Sequence, residues 1–255
     1  MADEPTMFMR ILKIVHIFDG HIFGEAVVKY LLDEPIDEVD ICMMNLSTDK
    51  FIKMLKIFYN VVRNDIEGYY LSYIINDDFI LNIYPINSSI TSIQSDFDIN
   101  LLKIDKNKIE MLNSKFNLLI DKCYSPLIEL IDKIKKKRFL IINIIYIDLL
   151  ALINDEHVEL TPKERAFKAN VIMKTIKKLQ NGWTCENKNL LPNITIVSED
   201  DTIQCSICSH NEDKYYFITK CNHSFHCECI MKWARELRTE FRCPLCRELN
   251  PIIGF

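Results

Sequence analysis

The sequence predicts an α+β fold in which a mixed helix/strand domain precedes a small metal-stabilised module. Three observations point there. Helix-period and strand-period apolar patterns alternate through the first two-thirds of the chain. Seven of the ten cysteines crowd between Cys205 and Cys246, together with His223 and His226. Between these regions, Glu186–Thr202 carries Asn, Lys, Pro and the acidic Ser198–Asp201, which reads as a linker. The expected boundaries are 1–185, 186–202 and 203–250.

Composition narrows the class. A chain of 255 residues that is 49% hydrophobic can bury one or two cores, which excludes a mainly disordered protein. Five Gly and eight Pro exclude collagen-like and Pro/Gly-rich sequences. A net charge of −5 leaves no global basic field to draw the chain onto nucleic acid, so no nucleic-acid partner is expected. Ile, Asn and Lys make up about a third of the chain, a bias that follows AT-rich coding and hints at a parasite, symbiont or virus. The opening Met-Ala-Asp-Glu-Pro is acidic where a secretory leader would be basic. The longest apolar run, Phe139–Ile153, has 15 residues and holds Asn143 and Asp148. Roughly 20 are needed to cross a bilayer, so no membrane role is expected. An intracellular site, cytoplasmic or nuclear, follows as the expectation.

Elements can be placed in order. Ile22–Leu32 reads as a helix, Val39–Met43 as a strand and Asp49–Val62 as a second helix. Tyr69–Ile75 and Phe79–Ile83 read as paired strands around Asn76-Asp77-Asp78. Phe97–Ile104 is a further strand candidate. Leu127, Ile128, Ile131 and Ile134 keep helical spacing, and the basic run Lys133–Arg138 reads as that helix's solvated end. Contact with nucleic acid or a nuclear import signal is the alternative for this run. Thr161-Pro162-Lys163-Glu164 is a capping-box start, and Gly182 stops that helix. Its Lys168, Lys174, Lys177 and Lys178 read as a solvated face.

The chemistry concentrates at the C-terminal end. Cys205, Cys208, Cys221, His223, His226, Cys229, Cys243 and Cys246 follow the spacing C-x2-C-x12-C-x-H-x2-H-x2-C-x13-C-x2-C. Zinc takes four thiolate or imidazole ligands in a tetrahedron, and a C-x2-C turn aims two sulfurs at one ion. Eight ligands make two such sites. Cys227 breaks the spacing on both sides and reads as a non-ligand. A secreted disulfide scaffold would spread its cysteines, so metal is the better reading of an intracellular chain.

Gln204–Arg247 resembles a RING finger with histidines at the fourth and fifth ligand places. The resemblance implies interleaved sites: Cys205, Cys208, His226 and Cys229 on one zinc, and Cys221, His223, Cys243 and Cys246 on the other. It also implies a working surface. Ile207 inside the first knuckle, Trp233 after Cys229 and Pro244 in Cys-Pro-Leu-Cys would dock a ubiquitin-conjugating enzyme. Arg247, directly after the last cysteine, would take the family's linchpin role and orient ubiquitin. The function so implied is a RING-type E3 ubiquitin-protein ligase, whose partners are a conjugating enzyme, ubiquitin and an unknown protein target. The alternative is a zinc-stabilised interaction scaffold without ligase activity. The finger carries about as many acids as bases, which does not suit phosphate binding. The tail Pro251–Phe255 could pack on a partner finger or fray.

A second resemblance covers part of the upstream region. Phe23-Gly24-Glu25, followed by Glu38-Val39-Asp40-Ile41, resembles the nucleotidyltransferase-fold signature, and Asp96-Phe97-Asp98 resembles the strand bearing its third carboxylate. The resemblance implies Glu38, Asp40 and Asp98 as ligands of magnesium ions. Two departures weaken it: Glu25 stands where a small turn residue belongs, and Glu38 stands for the first Asp. The expectation is a nucleotidyltransferase-like, inactive domain that recruits the target. A metal-dependent nucleotidyltransferase is the other alternative, and ordinary turn and strand-end acids are the bland one. Composition and the two resemblances together look like RING proteins of large DNA viruses.

Overall fold

The structure, a computed structural model, describes residues 6–64, 70–86, 95–105, 108–112, 126–142, 161–188, 194–196, 203–210, 215–237 and 240–249. The chain divides into two compact units, Met1–Lys136 and Lys137–Phe255.

The first unit is built on a seven-stranded sheet. Helix α1 (Met7–Ile17) begins at Thr6, whose Oγ1 accepts the Met9 N–H at 3.4 Å. It buries Phe8, Ile11, Leu12 and Val15 at helical spacing. Strand β1 (His21–Phe23) leads through Gly24 to helix α2 (Glu25–Leu31). Strand β2 (Glu38–Met44) runs into helix α3 (Asn45–Phe58). Then follow β3 (Val61–Asn64), β4 (Leu71–Ile75), β5 (Phe79–Ile86), β6 (Leu102–Asp105), β7 (Lys108–Met111) and helix α4 (Leu127–Lys135). The sheet order is β3-β4-β5-β2-β1-β6-β7. The β2–β5 pair is parallel, and the other neighbours are antiparallel. Val39 and Ile41 are fully buried, while Glu38 and Asp40 alternate onto the other face of β2.

Three expected elements change at their edges. The helix expected over 22–32 is a strand, a turn and a helix. Gly24 has φ +74°, in the left-handed region that a helix interior cannot use, and the chain reverses there. The helix expected over 49–62 starts at Asn45 and ends at Phe58, because Val61 and Val62 pair with β4. The strand expected over 97–104 splits into a 3-10 turn at Asp98–Asn100 and the shorter β6. The Asn100 and Leu101 N–H groups close that turn on the Phe97 and Asp98 carbonyls, and Asp98 Oδ1 accepts the Ile99 N–H at 2.9 Å. Asn76 and Asp77 both take positive φ (49° and 72°) in the β4–β5 turn, a conformation suited to a tight hairpin.

The Asp98 carboxylate and the Lys133 ammonium form an ion pair at 3.0 Å, with side chains only 3% and 4% exposed. Lys133 therefore leaves the solvated helix end expected for it, although Lys135 and Lys136 keep to solvent. The pair ties α4 to the turn before β6.

The second unit gathers residues from both sides of the expected linker. Helix Pro162–Gln180 carries the complete capping box: Thr161 Oγ1 accepts the Glu164 N–H at 3.3 Å, and Glu164 Oε2 accepts the Thr161 N–H at 2.9 Å. This helix packs against helix Cys227–Glu236 of the cysteine-rich region, so it belongs with the second unit. Lys168 and Lys178 are buried on it rather than solvated. The Lys178 ammonium sits 4.6 Å from the centre of the Trp183 ring, where the ring's electron-rich face compensates lost hydration. Arg138–Phe139 and Thr184–Cys185 form a small parallel pair. Ile194–Ile196, inside the expected linker, instead adds a strand to Tyr215–Ile218, which pairs in turn with Ser224–His226. Its Ile-Thr-Ile sequence favours the pleated conformation. Most of the apolar run Phe139–Ile153, the acidic stretch Ser198–Asp201 and the tail 251–255 lie outside the described residues. No helix among the described residues is long and apolar enough to cross a membrane.

The buried pair generates a test. Lys133→Met removes the ammonium from a buried carboxylate and should cost about 3–5 kcal/mol of stability, read from denaturant unfolding. The double variant Asp98→Asn/Lys133→Met should cost clearly less.

Candidate metal centre

The first and last knuckles are the same backbone device. At the first, Ser209 N–H donates to the Cys205 carbonyl (2.8 Å) and Cys205 N–H donates to the His210 carbonyl (3.0 Å). At the last, Arg247 N–H donates to Cys243 (3.0 Å) and Cys243 N–H to Glu248 (2.8 Å). The fifth residue of each knuckle is left-handed, Ser209 at φ 61° and Arg247 at φ 65°. This closure leaves the two thiols of each knuckle on one side of the loop. Between them, Thr219 shapes the third corner. Its Oγ1 accepts the His223 N–H at 3.0 Å and lies 3.1 Å from Cys221 Sγ. Asn222, at φ 58°, turns the chain there.

The hairpin Tyr215–Ile218/Ser224–His226 and the helix that follows bring the remaining ligands in. Two groups of four result: Cys205, Cys208, His226 and Cys229, and Cys221, His223, Cys243 and Cys246. Within each group all ligand atoms lie within 4.8 Å of one another. His226 Nδ1 is 3.2 Å from Cys208 Sγ and 3.9 Å from Cys229 Sγ. His223 Nδ1 is 3.3 Å from Cys221 Sγ and 3.5 Å from Cys243 Sγ. A zinc tetrahedron with ordinary Zn–S and Zn–N bonds has edges of about 3.5–3.8 Å, so both donor sets fit the ion in size and chemistry. Each set supplies four protein ligands and closes its site, which makes the zinc structural. Cys227 is fully buried at the start of the finger helix and belongs to neither group.

The thiols respond to this crowding. Burial, then the negative charge of Cys205, pushes the Cys229 thiol up to about 12. Burial pushes Cys243 up to about 11. Cys205 goes the other way: burial opposes its thiolate, but the N–H groups of Cys208, His226 and Ile207 outweigh that and lower it. Cys246 is lowered first by the Glu248 N–H. A divalent cation supplies the charge that lets all the thiolates coexist.

Around the ligands, Ile207 is 42% exposed and Trp233 39% exposed, while Arg247 also faces solvent. Trp233 uses its polar edge on the Arg242 carbonyl (Nε1 to O, 3.1 Å). Pro244 is half-buried, whereas its neighbour Leu245 is 50% exposed. Leu245 was not singled out from sequence, although a leucine between two zinc ligands has little room to turn inward.

The upstream acids are arranged differently from the resemblance. Glu38 and Asp40 share a face, and the strand beside them presents an amide. Asn82 Nδ2 donates to Glu38 Oε1 at 2.7 Å and to Asp40 Oδ1 at 3.1 Å. Ser72 Oγ donates to Asn82 Oδ1 at 2.9 Å, which holds the amide in that orientation. Asp98 is not brought to them; it faces Lys133. No metal-sized group containing Glu38, Asp40 and Asp98 forms among the described residues. Asp96 is the acid of that segment whose charge acts on Tyr84 of β5. Burial, then Asp40, Tyr70, Glu38 and Asp96, raise the Tyr84 hydroxyl. At Gly24, an added Cβ would stand 3.5 Å from Asp40 Oδ2, so the turn passes directly beside the pair.

Comparison with known proteins places the C-terminal module. An eight-ligand, cross-braced two-zinc finger is the class that this geometry defines. Residues 203–247 match the family model of the Ring finger domain, and the module is a RING finger of the RING-H2 type. RING-H2 finger protein ATL3 of Arabidopsis thaliana is 44% identical over 57 residues, covering 21% of this chain and 16% of that protein. The E3 ubiquitin-protein ligase RNF181 homolog of Drosophila melanogaster is 39% identical over 61 residues, covering 22% of this chain and 40% of its own. These matches thus span less than half of either relative. One relative comes from a plant and the other from an animal, which lends no support to the viral source expected from composition. Among solved structures, the Thermotoga maritima CCA-adding enzyme complexed with tRNA aligns over 74% of this chain and 41% of that chain. Its identity is 14% and its TM-score 0.46.

Elemental analysis of the purified chain should find two zinc ions per molecule, and Cys205→Ser should lower that number. Structural zinc is worth about 10–16 kcal/mol in small fingers. A strong chelator should therefore collapse the dispersed amide signals of residues 203–249, and added zinc should restore them.

Proposed function

We propose that the chain is a RING-type E3 ubiquitin-protein ligase that docks a ubiquitin-conjugating enzyme and promotes transfer of ubiquitin to a lysine of a target. The observation that carries this is the exposure of Ile207, Trp233 and Leu245 on a zinc-braced scaffold. Large apolar side chains held outward on a rigid frame are interface anchors. Pro244, in the same knuckle as Leu245, stiffens that edge. The zinc ions, when bound, supply structural bracing, because each site is closed by four protein ligands.

The ligase contributes position, not a nucleophile. Ile207 and Trp233 would grip the conjugating enzyme. Arg247 would reach both enzyme and ubiquitin and hold the thioester in a reactive pose, which lowers the entropic part of the barrier. Its left-handed backbone at φ 65° follows from knuckle closure. The side chain thus leaves the knuckle from a fixed point. The first unit would recruit the target. Zinc–thiolate chemistry suits a reducing intracellular compartment, cytoplasmic or nuclear. The metal-dependent nucleotidyltransferase reading is weakened by Asn82, an amide on the Glu38–Asp40 pair, and by Lys133 on Asp98.

The test is autoubiquitination by the full chain with a panel of conjugating enzymes. Wild-type protein should build chains. Trp233→Ala should lose conjugating-enzyme binding. Arg247→Ala should keep binding but slow transfer at least about tenfold, the scale of lost positioning. Zinc-loaded protein that builds no chains with any enzyme would sink the proposal in favour of a scaffold.

A further inference from the structure

We propose that Tyr216 is a positioning residue that assigns the tautomer of His226 and so presents Nδ1 to the first zinc. This inference rests on the two-zinc finger and is independent of the ligase reading.

Tyr216 and His226 are directly opposed across the antiparallel hairpin. Their rings pack at 4.7 Å between centroids, tilted by 56°. The Tyr216 hydroxyl lies 2.7 Å from the Ile203 carbonyl and 2.8 Å from His226 Nε2. A hydroxyl has one proton, and a carbonyl can only accept. The Tyr216 proton therefore goes to Ile203, and the hydroxyl oxygen accepts from His226. That places a proton on Nε2 and leaves the Nδ1 lone pair free. Nδ1 is the atom that stands 3.2 Å from Cys208 Sγ and 3.9 Å from Cys229 Sγ. The opposite polarity would point an Nδ1–H at the zinc locus and take the Tyr216 proton away from Ile203.

Burial gives the arrangement its force. Tyr216 is 1% exposed and His226 6%, so water is poorly placed to substitute for the lost hydroxyl. The second site lacks this support. His223 is half-buried, its Nε2 has no hydrogen-bond partner among the described residues, and Cys246 is exposed. The first site should accordingly hold its zinc longer than the second. Hydrogen-bond partners of ligating histidines commonly tune metal affinity by 10–100-fold.

The test uses the full zinc-loaded chain and the variant Tyr216→Phe, which keeps the ring and removes one oxygen. Zinc release to a chromogenic chelator is followed in time, and long-range proton–nitrogen NMR of the histidine rings reads each imidazole. Wild-type protein should show His226 protonated on Nε2 and metal-bound through Nδ1, with two release phases. In Tyr216→Phe the slower phase should accelerate about 10–100-fold, the His226 resonances should shift, and those of His223 should stay. A purely packing role would loosen both ions together. Equal acceleration of both phases, or no change, overturns the proposal. If Tyr216→Phe does not fold, the wild-type spectrum still decides: a metal-bound Nε2 at His226 overturns it.

Discussion

Everything in the C-terminal unit depends on one constraint: two small cations each demand four ligands at tetrahedral spacing, drawn from interleaved segments of chain. The ligands of one site bracket those of the other, so neither can form unless the hairpin and its following helix are in place. Local closure is left to the knuckles, whose left-handed Ser209 and Arg247 let carbonyls and N–H groups pair across the loop. The same closure turns the intervening side chains outward. Exposure of Ile207 and Leu245 is thus a by-product of metal geometry.

The finger is also not a free bead. The capped helix Pro162–Gln180 lies on the finger helix, whose Ile230, Met231 and Ala234 are fully buried, and strand Ile194–Ile196 extends its small sheet. Zinc supplies the order that so few core residues could not maintain. The neighbouring helix then covers the apolar face that the zinc sites leave over.

In the first unit, the carboxylates expected to hold magnesium are met by neutral and cationic partners from the chain. Asn82 reaches Glu38 and Asp40, and Lys133 reaches Asp98. The left-handed turn at Gly24 and the alternation of Glu38 and Asp40 along β2 are both present. The Lys133 ammonium balances the charge of Asp98, and the neutral Asn82 amide engages the two β2 acids through hydrogen bonds.

Much was legible before folding, and for local reasons. Cysteine spacing is a property of short turns, so the zinc donors could be read from the chain; the Thr161 capping box and the Asn76–Asp77 hairpin turn are equally local. What escaped were residues whose meaning depends on a distant partner. Asp98 looked like a strand-borne ligand until Lys133, 35 residues away, was seen to hold it. Lys168 and Lys178 looked solvated because a helix pattern does not reveal which neighbour will cover it. Tyr216 is one aromatic in a Tyr-Tyr-Phe strand, and nothing nearby in sequence separates it from core. Only hairpin register sets it opposite His226, and only burial makes its one proton decisive. Metal chemistry and local backbone turns are encoded over a few residues; hydrogen-bond polarity and charge pairing arise where strands and helices meet, so they belong to the folded molecule.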